Sequence, residues 1–205
     1  RMITRVQIIA FKQARILRGR RKSVSETGYC LGLHCGITFA GLKPASLFWL
    51  KDGQDKDMVY YRRFFAKKDF RFIAVKRTAG RKLFYVFHRG RLEEILFDKA
   101  NREFLRGRGY NYDTVGGALK ELKRRLERGD EFPHEVGLFL GYPLEDVRGF
   151  IEDARGGVCL NCGYWKVYGA FEEREKLFKR YERCSRCICE KLSCGRAIED
   201  IFGLG

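Results

Sequence analysis

A chain of 205 residues that is 45% hydrophobic and 14% aromatic, with only three prolines, is long enough to bury a core without crosslinks and too apolar to be a disordered segment. No window approaches roughly eighteen uncharged apolar residues, and the opening Arg1-Met2-Ile3-Thr4-Arg5 lacks the apolar run of a secretory signal, which argues against a membrane span and against export. The formal charge of +16 sits mostly in the first half: residues 1–22 hold eight Lys or Arg and no acid, and residues 62–91 hold eleven against a lone Asp69. Such a field favours an anionic partner, nucleic acid or acidic protein, with a solubilising surface as the plainer alternative.

In chain order, Val6 to Leu17 places Val6, Ile9, Ala10, Ile16 and Leu17 among basic residues, an amphipathic helix. Arg18 to Lys22 and the polar Ser23 to Gly28 follow as a loop. Pro44 can occupy the first turn of a helix, so Ala45 to Leu50 is expected to be helical. Phe70 to Lys76 and Lys82 to His88 are aromatic and β-branched runs around Arg77-Thr78-Ala79-Gly80-Arg81, a β-hairpin. Leu92, Ile95 and Leu96 open a short helix running towards Phe104-Leu105.

After the break at Gly107 to Gly109, Asp113 or Thr114 caps a helix with Val115, Leu119, Leu122 and Leu126 on one face and Gly129 as its stop. Glu135 to Leu140 reads as a buried strand, and Gly141-Tyr142-Pro143 turns into a helix carrying Leu144, Val147, Phe150 and Ile151. Tyr164 to Tyr168 is a short strand, Phe171 to Tyr181 a helix, and the cysteine-rich tail ends in a further helix through Ile201. The order gives an α+β fold, a small antiparallel sheet covered by helices on one side, with a Cys-rich C-terminal helical tail. It divides into a basic helix and loop over 1–27, a core domain over 28–183 and the tail over 184–205. Arg1 ahead of Met2 leaves room for a missing upstream segment.

The eight cysteines, without an export signal, point to reduced thiols, metal ligands or redox work in the cytoplasm. Cys159-Leu160-Asn161-Cys162 and Cys184-Ser185-Arg186-Cys187 are two C-x2-C pairs separated by 21 residues, close to the spacing that closes a tetrahedral zinc site. Cys184, Cys187, Cys189 and Cys194 could instead hold an iron–sulfur cluster, although their spacing matches no common ferredoxin pattern. Incidental thiols on a tail are the plain alternative.

Cys35, read as lying near a helix N-terminus and beside cations, is a candidate nucleophile. His134 follows much later on an apolar stretch, the order of a papain-like hydrolase, with Asp146 or Asn161 as an orienting group. The structural alternatives are a small buried Cys35 and a His134 bonded in the turn after Pro133. Adjacent His34 is badly placed to serve as the base. Lys43 in Gly41-Leu42-Lys43-Pro44 is a candidate anion ligand if a helix starts there. Tyr60 to Phe72 interleaves aromatic and basic residues, which suits base stacking on an exposed sheet or, more plainly, a core face backed by a solvated one.

Three segments carry a resemblance: His34 to Pro44, Phe132 to Val147 and Cys162 to Tyr168, in that order. Through them the chain resembles domain-of-unknown-function family 3793 over roughly Gly28 to Cys184. The resemblance implies a cytosolic protein typical of anaerobic bacteria and brings no assigned activity. The basic arm and the residues after Cys184 lie outside it. Together these readings describe a thiol- or metal-dependent protein, with zinc or redox chemistry at the cysteines. A thiol hydrolase or transferase using Cys35 and His134, and a nucleic-acid-binding module, are the alternatives.

Overall fold

The computed structural model describes residues 24–128, 132–153 and 161–203. The helix expected over Val6 to Leu17 lies outside the described residues.

The loop expected up to Gly28 ends earlier, because a helix begins at Glu26. Ser25, in extended conformation, accepts a hydrogen bond on Oγ from Gly28 N and so caps α1 (Glu26–Phe39), with Glu26 in the first turn favouring the positive end of the helix dipole. Gly28, Gly32 and Gly36 recur every fourth residue and interrupt the apolar stripe that would announce a helix. Each glycine costs the helix about 1 kcal/mol relative to alanine. The cost is offset by close packing, since a Cβ on Gly32 would lie 2.7 Å from Leu192 Cδ1 and one on Gly36 2.8 Å from Ile188 Cδ1.

The second correction concerns β1 (Ala45–Lys51), expected as a helix after Pro44. Ala45, Leu47 and Trp49 alternate with Ser46, Phe48 and Leu50 across the strand, and both sets face helices, so the two-residue period is hidden in a continuous apolar run. Pro44, just ahead of the strand, needs no donor; its carbonyl accepts from His88 N at 2.9 Å.

Helix α2 (Met58–Ala66) leads into β2 (Phe70–Thr78), a turn with Gly80 at φ 77°, and β3 (Arg81–His88), the expected hairpin. The sheet order is β1-β3-β2, antiparallel throughout, in register from Ala45↔Phe87 to Lys51↔Arg81 on one side and from Phe70↔His88 to Thr78↔Arg81 on the other. A bulge between Ala74 and Lys76 interrupts the second register.

Then come α3 (Arg89–Phe97) and α4 (Lys99–Gly107), parted at Asp98, whose carboxylate accepts from Asn101 N and caps the second helix. Helix α5 (Val115–Arg128) starts where Thr114 Oγ1 accepts from Gly117 N and buries Leu119, Leu122 and Leu126 as its periodicity requires. The run expected as a strand is instead one helical turn, α6 (Val136–Phe139), because a short fully buried apolar stretch has no period to distinguish the two. Helix α7 (Leu144–Glu152), the two-residue strands β4 (Asn161–Cys162) and β5 (Lys166–Val167), α8 (Phe171–Ser193) and α9 (Ile198–Ile201) complete the chain. The 23 residues of α8 continue without a break through Cys184, Cys187 and Cys189, so the helix expected to Tyr181 and the cysteine-rich tail are one element.

Helices cover both sides of the sheet, not one. On the first face Phe48, Leu50, Phe72, Phe84 and Val86 pack with Leu31, Cys35 and Phe39 of α1 and Tyr61 and Phe65 of α2. On the second, Leu83, Tyr85 and Phe87 pack with Leu92, Leu96, Leu122, Phe139 and Trp165. Tyr85 donates its hydroxyl to the Phe139 carbonyl at 2.5 Å, satisfying a fully buried polar group. Helix α8 joins the layers: Phe178 and Tyr181 enter the second core, while Ile188 and Leu192 lie along α1 with Tyr29.

Candidate functional site

Three stretches remote in sequence meet around Lys43. The first is the exit of α1, where Gly41 at φ 73° and the bond from Leu42 N to Ile37 O end the helix and turn Lys43 inward. The loop is held along its length: Arg91 donates to the Gly41 carbonyl and the Tyr181 hydroxyl to the Leu42 carbonyl at 3.2 Å. The second stretch is Gly141-Tyr142. Gly141 has φ 79°, and a Cβ there would collide with the Pro44 ring. Lys43 Nζ stands 5.3 Å from the centroid of the Tyr142 ring, within cation–π range.

The third stretch brings Trp165, stacked on Tyr142 at 4.5 Å and 23°. Its indole donates to Asp146 Oδ2 at 2.8 Å, while Asp146 Oδ1 accepts from Tyr168 N at 2.7 Å and Gly169 N at 3.2 Å. Arg174 Nε lies 3.4 Å from the same carboxylate. These are the three segments on which the family resemblance rests.

Lys43 is 7% exposed, and no carboxylate of the described residues forms an ion pair with it. Burial pushes its amine down to about 8, and the nearby Cys35 only partly restores it. The helix expected to start after Lys43 is replaced by strand β1, so the helix N-terminus on which that reading rested is not there.

Cys35 is also elsewhere than expected. It lies nine residues into α1 from Glu26, fully buried, and its thiol is hydrogen-bonded with Ser46, whose Oγ is 2.8 Å from Thr38 Oγ1. Burial pushes the thiol well above its ordinary range, and the opposing pulls of Lys43 and the Ser46 bond are smaller. It is therefore a protonated thiol at neutral pH, the reverse of an activated one. Half-buried His34 stacks on Phe48 at 5.1 Å, and desolvation pushes its imidazole down to about 4.

His134 stands in other company. Exposed at the entry to α6, it meets Phe150 edge-on at 4.9 Å and lines an open cleft with Arg108, Arg125 and Arg128. No residue named around Cys35 is among those around His134. Both oxygens of Asp146 are engaged by Trp165 and the 168–169 backbone. Most aromatics of the basic-aromatic stretch are buried, Tyr61, Phe65, Phe70 and Phe72 among them, while Tyr60 is 52% exposed and Arg62, Arg63 and Lys67 face solvent.

Of the metal candidates, Cys159 lies outside the described residues, and only the backbone of Cys162 is described, paired with Lys166 in the β4–β5 hairpin. Cys184 and Cys187 stand one turn apart on α8, the first half-buried and the second exposed. Among the described residues no three His, Cys, Asp or Glu side chains converge as ligands. The same restriction covers membrane spans: no described helix is long and apolar enough to cross a bilayer.

The arrangement defines a mixed α+β protein in which a three-stranded antiparallel sheet lies between helices and a long thiol-bearing helix closes one end. The chain matches the model of the family described as "Protein of unknown function (DUF3793)" over residues 31–202, and it belongs to that family. The match runs past Cys184 to residue 202, so Cys187, Cys189 and Cys194 fall inside the family's span, where the resemblance alone had left them out. No curated protein and no solved structure matches the chain.

Proposed function

We propose that the protein is a thiol-dependent metal protein of a reducing cytoplasm, holding zinc through Cys159, Cys162, Cys184 and Cys187. The observation that carries this reading is the docking of the β4–β5 hairpin on α8. Gly163 lies so close over Phe178 that a Cβ would collide with the ring, and Tyr164 meets Tyr181 edge-on at 5.1 Å. Cys184 follows Tyr181 by one turn. Cys162 lies in the hairpin, Cys184 and Cys187 lie on the helix beneath it, and the C-x2-C spacing adds Cys159 in sequence, a set that a tetrahedral ion can close.

The Cys184 thiol is pushed up by burial and then by Cys187, against a smaller pull down from Lys191, so holding it as a thiolate calls for a further cation, and Zn²⁺ would supply one. Four thiolates leave no open position, which makes the site structural: it would pin the hairpin bearing Trp165, and so Tyr142 and Lys43, to α8. An iron–sulfur cluster suits a mid-helix pair less well.

The test is metal content and visible spectrum after anaerobic purification, for the wild type and for Cys184→Ser with Cys187→Ser. About one zinc per chain, lost in the variant, is the expected result. A metal-free wild type after growth and refolding with zinc overturns the reading, and visible absorption with bound iron replaces zinc by a cluster.

A further inference from the structure

The C-terminal end of α5 and the entry to α6 border an open cleft of about 250 Å³ lined by three arginines and a histidine. Its floor is Arg125, held from every side. Arg125 Nε donates to Glu121 at 2.7 Å, one terminal nitrogen to Glu135 at 3.0 Å and the other to the Arg108 carbonyl at 2.6 Å, and the guanidinium lies 4.2 Å over the Tyr110 ring. Glu135, 4% exposed, also accepts from the Tyr110 hydroxyl at 3.1 Å. Glu135 lines the cleft as well, with its carboxylate taken up by Arg125 and Tyr110.

The walls are different. Arg108 and Arg128 are exposed and form no ion pair with any carboxylate of the described residues, although carboxylates neutralise Arg124, Arg125 and Lys123 on the same helix. Arg108 is braced by the Phe104 ring, 5.6 Å from its guanidinium carbon. His134 adds an imidazole, and Phe132, 36% exposed, gives the cleft an apolar side. Two guanidinium forks with no ion pair among the described residues line one concavity and offer planar, charge-assisted donors of the kind that hold an oxyanion.

We propose that this cleft binds a phosphoryl group, with Arg108 and Arg128 as charged donors, His134 beside them and Phe132 against the organic part of a phosphate ester. Arg125 is a positioning residue: its own donors are committed, and it fixes the floor and the Arg108 backbone. The ligand phosphate can come from a small phosphate compound or from a nucleic-acid backbone, and the same experiment separates the two.

Calorimetric titration at low ionic strength would use pyrophosphate and, separately, a single-stranded twelve-nucleotide DNA, with wild type, R108Q/R128Q and, as a control on α2, R62Q/R63Q. Pyrophosphate should bind the wild type and the control alike and bind R108Q/R128Q at least about tenfold more weakly, as the loss of two charge-assisted hydrogen bonds requires. If the DNA loses affinity in parallel, the phosphate is that of a nucleic acid; if only pyrophosphate does, it is that of a small ester. No heat with pyrophosphate, or equal affinity for wild type and R108Q/R128Q, overturns the proposal. Because both arginines are exposed, circular dichroism should show R108Q/R128Q folded, and His134→Gln provides a second, independent weakening of pyrophosphate.

Discussion

Lys43 shows how much a single buried charge can dictate. Below pH 8 the native state must hold an ammonium out of water, whereas the unfolded chain keeps the same proton in solvent at an ordinary value of 10.5. The native state is thereby penalised by on the order of 3 kcal/mol, and the penalty fades as pH rises from 8 to 10.5. Lys43→Met should therefore flatten the rise in stability across that window, as measured by urea denaturation; an unchanged slope would mean that the amine is solvated. His34 acts on the acid side. With its imidazole at about 4 against an ordinary 6.5, the unfolded chain takes up a proton first, so stability falls as pH drops from 6.5 towards 4. His34→Gln should remove that part of the acid loss, leaving the loss between 4.5 and 2 that belongs to Glu121, whose carboxyl the Arg124 hydrogen bond holds at about 2.

Cys35 is the third residue whose surroundings settle its chemistry: fully buried and protonated, it should be alkylated by iodoacetamide at pH 7 far more slowly than exposed Cys194, as read by mass spectrometry. Modification of Cys35 first would reverse the assignment and restore it as a nucleophile.

Among the elements, the pairing of α1 with α8 turns on glycines. Gly32→Val places methyl groups where Leu192 now sits, and overpacking of this kind costs about 1–3 kcal/mol even though valine is the better helix former. Leu192→Ala in the same chain should recover part of the loss, so a double-mutant cycle in urea should show a favourable coupling; additive losses would mean that the two helices do not touch there. The elements with a clear one-sided pattern, α5, α7 and the β2–β3 hairpin, were legible from spacing and turn residues. Those buried on two sides were not: β1 was expected as a helix and α6 as a strand, and no helix was expected to start at Glu26, because glycines or continuous burial erase the period on which such a reading rests.

Across the whole molecule, Asp146 links what the sheet does not. Its carboxylate on α7 is 2% exposed and takes the Trp165 indole and the 168–169 backbone, with the Arg174 guanidinium of α8 beside it. Asp146→Ala should destabilise the fold by about 3 kcal/mol, because it leaves the buried Trp165 indole and the 168–169 amides without this acceptor, while Arg174 keeps Glu145. It should also change the near-ultraviolet circular dichroism of Trp165; a variant with wild-type stability and spectrum would show that these bonds are replaceable.

The α+β class, the hairpin, the capped helix after Thr114 and the two cysteine pairs follow from local chemistry: side-chain period, caps, turn glycines and the short reach of a C-x2-C pair. Packing alone decided that helices cover both faces of the sheet and that α8 carries the cysteines beneath the hairpin. It also brought Lys43 to Tyr142 and Trp165, and three arginines to one cleft. Those pairings join residues far apart in the chain, and no local spacing encodes a contact whose geometry is set by how two buried surfaces fit.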